Sequence, residues 1–103
     1  MKDEFAQQIK FQALLGNDIN TQEFKNKMFL GLMEELVEAM KETPSKSHKK
    51  IQQYNPEKFL EELVDVQLYL LNLVISSKFT YDEFLQKIQE KQLRNVERIK
   101  NGY

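Results

Sequence analysis

From Val66 to Ile75 the chain reads Val-Gln-Leu-Tyr-Leu-Leu-Asn-Leu-Val-Ile, apolar on nearly every side. A helix of that kind lies in the centre of its fold. Only three glycines and two prolines interrupt 103 residues, and no alternating strand pattern of useful length occurs. The expected fold is therefore all-α: an antiparallel bundle of about four helices in one domain, residues 1–103. Because so short a chain buries a modest share of its surface, a partner copy would help it.

Local signals place the helices. A first helix is expected from Asp3 to Leu14, with Phe5, Ile9 and Leu14 as its apolar positions, ended by Gly16-Asn17-Asp18. Asn20 with Glu23 reads as a capping box for a second helix. That helix carries Phe24, Met28, Leu32, Leu36 and Met40 at four-residue steps, flanked by Met33 and Val37, and should run to about Glu42 before Pro44 and Ser45. Asn55-Pro56 opens a third helix, expected to reach Ser76. Thr80 with Glu83 opens a fourth, from Tyr81 towards Asn101.

Composition narrows the function. Fifteen basic and sixteen acidic residues give a net charge of −1, against a general nucleic-acid binder. Without cysteine there are no disulfides or thiolate metal sites. No apolar run approaches the ~20 residues that span a bilayer, and Met1-Lys2-Asp3-Glu4-Phe5 has no signal-peptide core. A cytoplasmic protein is the expectation.

Two acidic pairs carry the chemistry. Glu35-Leu36-Val37-Glu38 and Glu62-Leu63-Val64-Asp65 each set two carboxylates three residues apart, on one face of a helix. The chain from Ala39 to Glu61 is long enough for a helix end, a loop and a return, so the pairs can meet across antiparallel helices. One such pair is ordinarily a solvated face. On the third helix, however, Glu62, Asp65, Tyr69 and Asn72 form a single polar stripe along an otherwise apolar helix, and such a stripe needs partners. Clustered carboxylates repel by about 3 kcal/mol per pair at ~5 Å and an effective dielectric of 20. A divalent cation offsets that repulsion, and an all-oxygen set favours Mg²⁺ or Mn²⁺.

The fourth helix lines up Lys87, Lys91, Arg94 and Arg98 beside Asn95. Alone this is a solvated basic face. Next to an acid cluster it suits a polyphosphate held by the metal. His48, among Lys46, Lys49 and Lys50, reads as a loop residue rather than a ligand.

Glu35-x-x-Glu38 followed by Glu62-x-x-Asp65 resembles the signature of the all-α nucleoside triphosphate pyrophosphatases: MazG-type enzymes, dCTP pyrophosphatases and dimeric dUTPases. The flanking Glu34-Glu35-Leu36-Val37-Glu38 and Glu61-Glu62-Leu63-Val64-Asp65-Val66 fit as well. The tail, Lys91-x-x-x-Asn95-x-x-Arg98 and then Asn101-Gly102-Tyr103, is similar to the phosphate-contacting segment of the dUTPase and dCTPase branches. The match spans about Phe11 to Tyr103, and its length makes a single-domain MazG-like form the nearer comparison.

The resemblance implies Mg²⁺-dependent hydrolysis of a nucleoside triphosphate to monophosphate and pyrophosphate, as nucleotide-pool housecleaning, by a dimer or tetramer. Glu35, Glu38, Glu62 and Asp65 match the metal ligands, with Glu35 or Glu38 also activating water. Tyr69 matches a nucleotide-contacting position, and Lys91, Asn95 and Arg98 match the phosphate and sugar side. Asn72 joins them as a substrate-binding residue of the polar stripe. The base pocket is the poor match, with Phe11 and Gln12 its candidates. The competing class is a non-enzymatic helical interaction module, for which the carboxylates would be dispensable.

Overall fold

A computed structural model describes residues 1–43 and 54–102; the expectations for His48, its basic loop and Tyr103 lie outside them. Four helices follow one another: α1 (Lys2–Leu14), α2 (Gln22–Lys41), α3 (Pro56–Ser76) and α4 (Tyr81–Lys100). No strand occurs among the described residues, so their regular structure is all-helical, and none of the described helices is long and apolar enough to cross a membrane.

The helix ends follow local chemistry. Asn55 Oδ1 accepts from the Lys58 amide, and Pro56 occupies the first turn, where its missing N–H leaves nothing unmade. Thr80 and Glu83 form the reciprocal capping box. One cap differs from expectation. Thr21, not Asn20, caps α2, its Oγ1 accepting from the Phe24 amide. Asp18 Oδ1 takes the Asn20 amide in a tight turn, which leaves Asn20 outside the helix.

The C-termini of α1 and α3 close in the same way. Gly16 (φ 74°) and Lys78 (φ 65°) both adopt the left-handed conformation. Their amides, and those of Asn17 and Phe79 after them, return to carbonyls of the last helical turn. This is the Schellman arrangement. Glycine enters it without strain, whereas lysine carries a Cβ that this conformation disfavours.

α2 and α3 form the main packed pair, with α1 lying on α3. The pair is antiparallel: Lys58 Nζ lies 3.3 Å from Glu42 Oε1, Asn72 Nδ2 reaches Met28 Sδ at 3.4 Å, and Tyr69 lies against Gly31 between them. Advancing along α3 thus means retreating along α2. The core gathers at the far end of α3, where Phe5, Leu71 and Ile75 are buried and Ile19, Leu68, Val74, Tyr81 and Phe84 pack around them. Ser76 donates to the Ile19 carbonyl and ties the α1–α2 connection to α3.

Two expected faces turn out differently. On α1 the buried positions are Phe5, Gln8 and Gln12, while Ile9 and Leu14 face out. α1 meets α3 at Asn72, and a buried amide draws amides to it. On α2 the expected row holds at Phe24, Met28 and Leu32, but the inward face then shifts to Gly31, Glu35 and Ala39, leaving Leu36 and Met40 exposed with Met33 and Val37. Four-residue steps advance about 400° against the helix's 360° turn, so a long row at that spacing winds off the contact face.

Candidate functional site

The acidic pairs meet where α2 and α3 face each other. One carboxylate oxygen from each of Glu35, Glu62 and Asp65 lies within 4.8 Å of the others. Glu35 and Glu62 are half-buried and Asp65 is exposed, so the cluster opens to one side. A hydrogen bond to the Glu62 carboxyl raises the Glu35 pKa above its ordinary 4.5, and desolvation and the charges of Asp65, Glu62 and Glu38 act the same way. Protonation of Glu35 relieves the crowding, and so would a cation. Three carboxylate oxygens at this spacing, open on one face, fit a hard divalent ion that completes its shell with water or phosphate.

Glu38 stands apart from the three. Its carboxylate is exposed and lies 3.6 Å from Lys41 Nζ. It is still close enough to push the Glu35 pKa upward.

Beside the cluster, towards α1, lies a cleft of about 290 Å³. Asp65, Tyr69 and Asn72, each about one turn beyond the last, line it from α3 together with Leu68. Met28 contributes from α2, and Gln8, Phe11 and Gln12 from α1. Gln8 Nε2 donates to Asn72 Oδ1 at 2.9 Å, and Asn17 Nδ2 donates to Gln12 Oε1 at 2.8 Å. Gln8, Gln12 and Asn72 are all buried. The cleft is thus a carboxylate mouth, an aromatic middle and an amide floor.

Of the polar stripe expected on α3, Asp65, Tyr69 and Asn72 line this cleft and Glu62 joins Asp65 in the adjoining acidic cluster, while Gln12 and Phe11 both reach the cleft. Gln8, Asn17 and Met28 were missed by sequence reasoning. Gln8 had a readable signal, since Phe5, Gln8 and Gln12 share one helical face. Nothing local in the sequence indicates that Asn17 or Met28 meets that face.

The basic row of α4 lies elsewhere within one chain. Lys87, Lys91, Arg94, Asn95 and Arg98 are all exposed, and none of them lines the cleft. Lys87 Nζ sits 2.9 Å from Glu90, and this contact, with a smaller effect from Arg94, lowers the Glu90 pKa.

No curated protein and no solved structure gives a significant match to the chain. A family profile described as dUTPase does match, over residues 1–103. This family comprises nucleotide pyrophosphatase-type hydrolases that act on nucleoside triphosphates and are typically metal-dependent. With the profile covering the whole chain, and α2 and α3 of its four described helices presenting an acidic cluster, the protein belongs to the all-helical, dimeric dUTPase-like family of the MazG-like superfamily.

Proposed function

We propose that the protein is a Mg²⁺-dependent pyrophosphohydrolase that converts dUTP to dUMP and pyrophosphate. The observation that carries this reading is the Glu35–Glu62–Asp65 cluster at the mouth of an amide-floored cleft, in a chain of the dUTPase family. Glu35, Glu62 and Asp65, with Glu38 nearby, would hold Mg²⁺ (or Mn²⁺), which when bound would neutralise phosphate charge and acidify a water. Everything else falls to the chain's own side chains.

Glu38 is the carboxylate least committed to the cluster, one turn from Glu35 and open to solvent. It orients the attacking water and accepts its proton, with Glu35 as the other candidate for that role. The amide floor recognises the base. Gln12 Oε1 accepts from Asn17 Nδ2, so the amide N–H groups are what Gln12 has left to offer a base in the cleft it lines. Uracil offers two carbonyl acceptors on either side of one N–H; Gln12 Nε2 can donate to one carbonyl while Asn17 Oδ1 or Gln8 Oε1 accepts from the N–H. A buried amide left unpaired by the wrong base costs binding, and this is how such a floor discriminates.

A second copy completes the assembly in this reading. A chain of 12.3 kDa should expose about 6,100 Å² if it folds as a self-contained monomer, yet this one exposes 8322 Å². Its radius of gyration is 17.1 Å, against about 13 Å for a globule of this length. The apolar excess lies on Phe29, Leu30, Met33, Leu36, Val37 and Met40 of α2, with Leu60, Leu63 and Val64 of α3. The core half of α3 is largely covered within one chain, so the surface left for a partner sits nearer the carboxylates. α4 carries its own exposed apolar row, Val96 and Ile99, beside the basic one. Packing by symmetry covers these faces and brings Lys91, Asn95 and Arg98 of one subunit to the phosphates held by another.

The test is a panel of dNTPs and NTPs with Mg²⁺, scored for pyrophosphate. Preferential release from dUTP, with dUMP as co-product, is expected. Nucleoside diphosphate with orthophosphate as the products would rule the mechanism out.

A further inference from the structure

Gly31 occupies the middle of α2, where glycine costs about 1 kcal/mol relative to alanine. It is buried, and a Cβ built on it would collide with the Tyr69 ring. The ring edge therefore lies directly on the α2 backbone, closer than any other residue type at position 31 permits. Gly31 stands one turn before Glu35 on α2, and Tyr69 one turn after Asp65 on α3. Asn72 follows less than one turn beyond Tyr69. The ring thus occupies the level between the carboxylates and the amides, about 6 Å along α3 from Asp65.

In a nucleotide laid along the cleft, with its phosphates at the carboxylates and its base at the amides, the sugar falls at that level. We propose that Gly31 is a positioning residue for the nucleotide: by having no side chain it holds the Tyr69 ring back against α2 and so opens the room the sugar needs. This inference rests on the nucleotide reading above. Tyr69 lines the cleft on one side and meets α2 on the other. A methyl group at position 31 leaves α2's backbone where it is and drives the ring, the movable partner, into the cleft. The cluster one turn away keeps its geometry, because Glu35 and Asp65 are not displaced.

The experiment compares wild type, Gly31→Ala, Tyr69→Leu and the double variant Gly31→Ala/Tyr69→Leu. The readouts are KM and kcat for dUTP, calorimetric binding of α,β-imido-dUTP in Mn²⁺, and binding of Mn²⁺ alone. Gly31→Ala should weaken analogue binding and raise KM roughly tenfold or more, with Mn²⁺ affinity within about twofold of wild type. In the Tyr69→Leu background the added methyl should change KM by less than about twofold, because the ring it displaces is gone. An unchanged KM in Gly31→Ala overturns the proposal, and so does a tenfold loss when alanine is added to Tyr69→Leu. Should Gly31→Ala fail to fold, the comparison of Tyr69→Leu with the double variant decides by the same criterion. A wild-type protein that neither hydrolyses dUTP nor binds the analogue would instead refute the nucleotide reading itself.

Discussion

Gln8 Nε2 donates to Asn72 Oδ1 across 2.9 Å, joining α1 to α3 through two buried amides beneath the carboxylate cluster. The contact links stability to recognition, since the same side chains close the core and floor the cleft. Removing one partner strands the other.

Asn72→Leu should therefore cost about 1–3 kcal/mol, the penalty of leaving the buried Gln8 amide unpaired. Gln8→Leu/Asn72→Leu should recover part of that loss, since neither polar group remains. Both variants should raise KM for dUTP. Urea denaturation with steady-state kinetics checks this, and a double variant less stable than both single variants would contradict it.

Without metal, the acidic cluster should destabilise the fold. Glu62→Gln/Asp65→Asn is expected to raise the metal-free Tm and to abolish the Tm increase that Mg²⁺ or Mn²⁺ gives the parent. The pH dependence has a definite sign. Glu35 has a folded pKa raised above 4.5, so the folded state holds more protons than the unfolded one just above that pH. Its contribution to stability is present at and below pH 4.5 and is lost as pH rises through the folded pKa. Scanning calorimetry in EDTA should accordingly show Glu35→Gln gaining on wild type as pH rises from 4.5 to neutrality. A flat difference would mean that the repulsion is absent.

Lys78 at the end of α3 holds a left-handed backbone that glycine adopts freely. Lys78→Gly should stabilise the protein by about 1 kcal/mol, the strain relieved less the entropy glycine adds to the unfolded chain. The equivalent change in the other direction, Gly16→Ala, should destabilise by a similar amount. Chemical denaturation of the two variants in parallel tests the pair of signs.

In solution the chain should be a dimer or larger at micromolar concentration, measured by sedimentation or light scattering. Leu36→Asp with Met40→Asp, on the exposed face of α2, should shift it towards monomer. If Lys91 and Arg98 serve a neighbouring subunit, mixing Arg98→Ala with Glu62→Gln should restore part of the activity lost by each. A folded, fully active monomer would show that one subunit suffices.

The helices themselves were legible from local chemistry. Asn55, Pro56, the Thr80–Glu83 capping box and the break at Gly16 act over a few residues, so the order and approximate bounds of α1 to α4 follow from short stretches of sequence, although the cap of α2 falls on Thr21 and the left-handed turn at Lys78 has no local signal. The two acidic pairs were legible for a similar reason, because helical spacing puts Glu35 with Glu38 and Glu62 with Asp65 on one face before any tertiary contact forms. Which atoms then converge is not local. The α2–α3 register brings Glu35 to Glu62 and Asp65 and leaves Glu38 with Lys41. The placement of α1 turns Gln8 and Gln12 inward, and the close approach at Gly31 sets Tyr69 between carboxylates and amides. These are decided by how side chains of distant segments fit together, where a rotation of one helix by a fraction of a turn exchanges its buried residues for exposed ones.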